Sequence, residues 1–297
     1  MTATSTELLQ APAGPRRRRS LLRAPISGIA GRIGITLVLF TIALVVIGPY
    51  VAPYSPFSIG ATSPASGPTT AHWMGGDLVG RDVFSRFLDG GRSVILIPTI
   101  GVVIALVIGT LVGMWCGFRG GLSDSLIARL VDISFALPPL MVGLLLVAGF
   151  GTSSIVLVAV VVVLFAPRIL RVIRGATHAL VGQEFVLAAI ARGESTRAII
   201  WNEIAPNISG PILAEGAIRL TYAIVLIATL NYLGLGVHPP AANWGLMVSE
   251  NLDIIAQDPL ACLAPAAGIA IMCIGVSLVA DQVGAYFARN VSGDVRP

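Results

Sequence analysis

Apolar runs of bilayer length leave this chain little choice of fold. Residues 33–52 are 20 consecutive uncharged positions, 93–118 form a second run, and the uncharged stretch from Ile133 to Pro167 spans 35 residues. One bilayer crossing needs only about 20. The segment GFGTSS at 149–154 divides the long stretch in two. Its second half is short, so that helix is expected to continue past Arg168, with Arg168, Arg171 and Arg174 at the headgroups. Residues 208–233 and 259–280 supply two more crossings. Backbone groups in lipid must be satisfied internally, so such runs are helices. With 55% hydrophobic and 11% charged residues, the chain has too little polar surface for a soluble globule. The expected fold is an all-α integral membrane protein with six transmembrane helices. The run 33–52 follows an Arg cluster, as a cleaved signal peptide would, but it is longer than an h-region and lacks a small-residue cleavage site before Pro53. It is read as the first span.

Basic residues orient these spans. All 19 are Arg, and there is no Lys. Arg16, Arg17, Arg18, Arg19, Arg23 and Arg32 lie in a tail at 1–32 with the single acid Glu7, among Pro, Ser and Thr, a composition expected to be disordered and cytosolic. With that tail inside, 15 Arg fall in cytosolic segments, the outer loops hold only Arg81, Arg86 and Arg92, and Arg219 lies within a span. The asymmetry predicts a multi-pass protein of the cell membrane with both termini in the cytoplasm. The chain then divides into the tail 1–32, a first helix with its extracytoplasmic loop at 33–92, a core of five helices at 93–283, and a cytosolic tail at 284–297.

The same composition excludes several chemistries. A P-loop needs a Lys to reach nucleotide phosphates, so no such ATP site can be built here. Cys116, Cys262 and Cys273 fall in apolar runs and read as small hydrophobes. His72, His178 and His238 are scattered, which leaves no nucleophile–base set and no zinc site. The chain is expected to be no enzyme, to carry no cofactor or metal of its own, and to bind no nucleic acid.

Three segments interrupt the apolar pattern. EFVLAAIARGESTRAIIWNEIAPN, at 184–207, reads as two short helices meeting at Gly193. Ala188, Ala189, Ala198, Ile199, Ile200 and Trp201 give it apolar faces, while Glu184, Arg192, Glu194, Arg197 and Glu203 keep its outer surfaces wet. Gly193 permits the reversal, and Ser195 or Thr196 is placed to cap the second helix. The segment is either an ordinary amphipathic hairpin or a docking element. In the loop 53–93, Val83, Phe84, Phe87 and Leu88 recur at helical spacing opposite Arg81, Asp82, Ser85, Arg86 and Asp89, which predicts a short helix along the membrane surface. The polar turn after 118 is expected to hold Arg119, Asp124 and Arg129. Glu215 and Arg219, inside the fifth span, are either a structural pair in the favourable i,i+4 order or a pathway of a secondary transporter or channel.

Four of these motifs together resemble the dipeptide/oligopeptide/nickel family of ABC-importer permeases, of the second-permease type. Ala188, Ala189, Gly193 and Pro206 match the cytoplasmic coupling (EAA) loop, with Leu187 in place of its Glu and Ala205 in place of its Leu. Gly75, Asp77, Leu78, Gly80, Arg81, Asp82, Val83, Ser85 and Arg86 are similar to the family's GRDVxSR segment. RLVDISFALPPLM at 129–141 resembles the start of its third span, and LGLGVHPPAANWG at 233–245 its signature after the fifth. Ile227 stands where relatives often carry an acid.

The resemblance implies a type I ABC-importer permease fold with a cytosolic coupling helix, forming half of a translocation pathway for di- or oligopeptides, or for a cargo such as nickel chelate or glutathione. It implies a second homologous permease, two cytosolic ATPase subunits or one fused ATPase that bind ATP and Mg, and an extracytoplasmic substrate-binding protein as partners in the bilayer. Glu184, Ala188, Ala189, Gly193 and Pro206 are the implied ATPase-coupling residues.

Overall fold

In a computed structural model, residues 28–293 are described, and apart from an isolated bridge between Gly76 and Asp82 their regular structure is helical. The Arg cluster at 16–23 lies outside the described residues. Helix α1 (Ile29–Val51) is the first apolar run. Helix α2 (Val83–Arg119) has 37 residues and begins where the Asp82 carboxylate accepts the Ser85 N–H at 2.8 Å. The surface helix expected from Val83 and the span expected from 93 are therefore one helix. Its charged first turns lie against protein: Arg86 is fully buried and Gly90 packs against Asn243 and Trp244.

A single residue, Gly120 (φ 61), separates α2 from α3 (Gly121–Ala136), so Arg119 ends α2 while Asp124 and Arg129 lie on α3 and no polar turn forms. Asp124 accepts from Arg174 Nη2 at 2.6 Å, and Asp132 pairs with Arg171. Helix α4 (Pro139–Phe150) then leaves at 89° to α3. Two successive prolines cause the break, since a residue before proline is driven out of the helical region. Leu137 (ψ 135) and Pro138 (ψ 133) are both extended. Twelve residues rise only about 18 Å, too little for a hydrocarbon core of about 30 Å. Five helices are long and apolar enough to cross a membrane, and the six-span expectation is met when the bent α3–α4 pair counts as one broken crossing.

Helix α5 (Ser154–Val181), capped by Ser153, runs past Arg168 as expected. After the short helices α6 (Glu184–Ala191), α7 (Thr196–Ala198) and α8 (Ala205–Asn207) come α9 (Ser209–Tyr232), α10 (Trp244–Glu250) and α11 (Leu260–Gly293). The most extensive helix–helix packing is between α2 and α5. Gly101, Ala105, Gly109, Gly113 and Gly117 line one face of α2 at every fourth residue, the small-residue spacing that lets membrane helices approach backbone to backbone. A Cβ at Gly113 would lie 2.9 Å from Leu170 O, and one at Gly117 would lie 2.6 Å from Arg174 O.

Loop 53–82 is stapled to α10 by buried charge. Arg81 donates from Nε to Asp77 Oδ2 (2.5 Å) and from Nη2 to Glu250 Oε2 (3.0 Å), and Arg86 Nη2 donates to the same Glu250 oxygen at 2.8 Å. His72 Nδ1 and Asp82 Oδ1 are 2.8 Å apart, and Leu78 N–H donates to Asn251 Oδ1 at 3.2 Å. The GRDVFSR segment is thus a folded wall of the protein. The LGLGVHPPAANWG segment is structural as well: Asn243 caps α10, the fully buried Trp244 stacks on Phe87 at 5.3 Å and donates to its carbonyl, and a Cβ on Gly245 would meet Ala228 O at 2.5 Å.

Candidate functional site

The segment 184–207 forms the hairpin expected from its sequence. Helix α6 opens with Glu184, an acid in the first turn where the helix dipole favours it. It closes at Gly193 (φ 76) with two bonds, Gly193 N–H to Ile190 O (2.9 Å) and Glu194 N–H to Ala189 O (3.2 Å). This is a Schellman ending, and its left-handed position is why a glycine stands there. Ser195 then caps the restart, its Oγ accepting the Ala198 N–H at 3.3 Å. Arg192 bonds Glu194 (2.6 Å) and lies 3.8 Å from Glu203, which ties the two arms together. From Ile199 to Ile204 the helix widens to a π-helical turn before α8, where Pro206 takes an early position with no N–H to lose.

Burial divides the hairpin into two faces. Val186, Ala189, Ile199, Ile200 and Ile204 are buried in the chain's own main core, together with residues of α2, α5 and α9. Leu187 (51% exposed), Ala188, Ile190 and Trp201 (57% exposed) face outward, as do Glu184, Gly193 and Pro206. The structure thus separates two neighbours that sequence grouped together: Ala188 points out, while Ala189 is fully buried. Periodicity could not show this, because both faces are apolar. No described atom lies within 4 Å of a Cβ built on Gly193, so the backbone angle alone demands glycine.

Glu215 and Arg219 do pair within α9, with Arg219 Nε donating to Glu215 Oε1 at 2.5 Å. The carboxylate is buried. Arg219 also lines a cavity of about 450 Å³ between α4, α5 and α9, whose walls include Leu140, Phe165, Arg168, Tyr222 and Thr229. Ile227 is fully buried in the main core, away from that cavity's lining. The three histidines bond to protein groups: His72 to Asp82, His178 to Gly117 O (3.2 Å), and His238 to Thr152 (2.7 Å). Among the described residues no three His, Cys, Asp or Glu side chains gather as metal ligands.

Sequence reasoning did not find the Asp77–Arg81–Arg86–Glu250 cluster or the cavity with Arg168. The available signal for the first was an acid, Glu250, in a loop without a base, set against two Arg in a loop otherwise poor in them.

Comparison with known proteins adds the following. Residues 109–293 match the family model of the binding-protein-dependent transport system inner membrane component. The chain is 31% identical over 247 residues to a probable D,D-dipeptide transport system permease protein of Escherichia coli, covering 83% of each chain. It is 32% identical to an oligopeptide transport system permease protein of Bacillus subtilis, over 84% of this chain and 82% of that one. A glutathione transport system permease protein of Pectobacterium atrosepticum is 30% identical, over 89% and 86%.

Proposed function

This chain belongs to the family of binding-protein-dependent transport system inner membrane components, and we propose that it forms half of the peptide pathway of an ATP-driven importer. It is a multi-pass permease subunit of the ABC-importer type I fold, and transport rather than bond chemistry is its activity. The cargo class follows from relatives named for dipeptide and oligopeptide transport, and glutathione, itself a tripeptide, falls within the same class.

The observation that carries the proposal is the division of the 184–207 hairpin. One face is built into the core formed by α2, α5 and α9, and the other leaves Leu187, Ala188, Ile190 and Trp201 exposed among the described residues. An element so anchored transmits force in both directions. In this reading a cytosolic ATPase, either two subunits or a fused pair that binds ATP and Mg, grips the outward face. Nucleotide binding there biases the pathway between inward- and outward-facing states. A second homologous permease completes the pathway, an extracytoplasmic binding protein delivers cargo, and both termini are cytoplasmic. Glu184, Ala188, Gly193 and Pro206 shape or face the ATPase contact, and Ala189 holds the hairpin to the permease from behind.

The reading of Glu215 and Arg219 as a self-sufficient ion pathway is disfavoured, because each satisfies the other one turn apart. The test is uptake of labelled trialanine into proteoliposomes that contain both permeases, the ATPases and the binding protein. Uptake should require ATP and all components. Uptake by this chain driven by an ion gradient without ATP would overturn the importer assignment.

A further inference from the structure

We propose that Arg168 forms an anion-binding station in the cavity between α4, α5 and α9, and that the group it takes is the terminal carboxylate of the transported peptide. The inference rests on the peptide-importer reading above. Its basis is a contrast among four neighbouring cations. Arg171 is paired with Asp132, Arg174 with Asp124, and Arg219 with Glu215. Arg168 has no carboxylate within 4 Å among the described residues. One of its amino groups donates to Leu164 O, and its guanidinium lies over the rings of Phe135 (5.1 Å to the centroid) and Phe165 (5.9 Å).

A guanidinium has five N–H donors in a rigid fork, and only one here has an acceptor among the described residues. Arg168, expected at the headgroups, is half-buried and has no counter-ion among the described residues, so its charge is left for an anion that enters the cavity it lines. The aromatic faces fix its orientation, and the cavity it lines has about 450 Å³ and mostly apolar walls, within the volume range of small-ligand sites. The ligand that completes the site is an oxyanion able to meet two parallel N–H groups, which a carboxylate does. Every unmodified peptide carries one. A phospholipid headgroup offers the same chemistry, and the test separates the two.

The assembled importer is reconstituted in vesicles of zwitterionic lipid and, separately, with added anionic lipid. Free-acid trialanine and trialanine amide, each preloaded on the binding protein, are compared. In either lipid the acid should enter faster, and Arg168→Gln should lower acid uptake about tenfold, the worth of one charged hydrogen-bonded contact, with Arg168→Lys restoring part of it. In the same complex a Leu140→Cys thiol in the cavity wall should be shielded from maleimide by free-acid trialanine more than by the amide, and Arg168→Gln should abolish that difference. Equal loss of acid and amide uptake, no rescue by Lys, a defect confined to anionic vesicles, or equal shielding by the two peptides would each overturn the station. If the wild-type complex moves neither peptide, the cargo reading has failed, and the shielding measurement still decides whether Arg168 binds a carboxylate.

Discussion

Ala188 and Ala189 are adjacent in sequence and face opposite ways, so an Asp placed on one face of α6 should act differently from an Asp placed on the other. Ala189→Asp puts a charge into a core that has no partner for it, and the permease itself should lose on the order of 3 kcal/mol. Leu187→Asp, on the exposed face, should leave the permease's melting temperature unchanged but weaken ATPase retention and stimulated ATP hydrolysis. Thermal unfolding in detergent and pull-down of the ATPase check the pair, and a melting loss for Leu187→Asp alone would reverse the assignment of faces. A second residue carries a pH signature. Asp258 is fully buried at the start of α11; one oxygen accepts the Leu260 N–H at 3.1 Å, and the other has no hydrogen-bond partner among the described residues. Burial pushes its carboxyl above the usual aspartate value, against the pull of the backbone N–H groups of Leu260 and Ala261. A raised folded value means that Asp258 favours the fold while protonated, and this contribution is lost as pH rises through that value. Asp258→Asn keeps the acceptor for Leu260 and cannot ionise. It should melt at or above wild type at neutral pH, with the difference closing in acid. A constant difference across pH would show that another group titrates.

At the scale of elements, the sequence was most legible where a single physical rule acts. Uncharged length located the five bilayer-length helices α1, α2, α5, α9 and α11, and the Gly193 reversal and the Ser195 cap followed from local backbone chemistry. What remained hidden depends on distant partners. Arg81 and Arg86 look like surface charges, and for that reason the start of α2 reads as a membrane-surface helix; Glu250, some 164 positions beyond Arg86, converts them into an interior. The α3–α4 bend was written in Leu137-Pro138-Pro139, but an uncharged run conceals a break that charge alone cannot mark. The π-helical turn at Ile199–Ile204 has no residue signature that would announce it. The Gly stripe of α2 leads to a prediction at this scale. Gly113→Val places a branched side chain against Leu170 O and should force α2 and α5 apart, costing about 1–3 kcal/mol. Gly175→Val, on an open face of α5 where no described atom lies within 4 Å of a built Cβ, should cost nothing, because valine is the slightly better helix former of the two. Detergent melting curves of the two variants provide the comparison, and equal losses would contradict the close approach.

For the whole molecule, the orientation proposed from the Arg distribution puts loop 53–82 and the hairpin 184–207 on opposite sides of the membrane. A Thr70→Cys thiol, exposed in the loop, should react with an impermeant maleimide added outside, and an Arg197→Cys thiol on the hairpin should react only after the inside is opened. Reaction of both from one side would overturn the orientation. The charge staple at the start of α2 has a mechanical consequence. Its 37 residues amount to a rod about 55 Å long. The staple clamps one end to loop 53–82 and α10, and the glycine-lined seam with α5 grips the half toward Arg119. The charge staple and the seam with α5, from which the hairpin continues, thus sit on one unbroken helix, so that loop 53–82 and the hairpin are joined through a single covalent element and not through a chain of separate contacts.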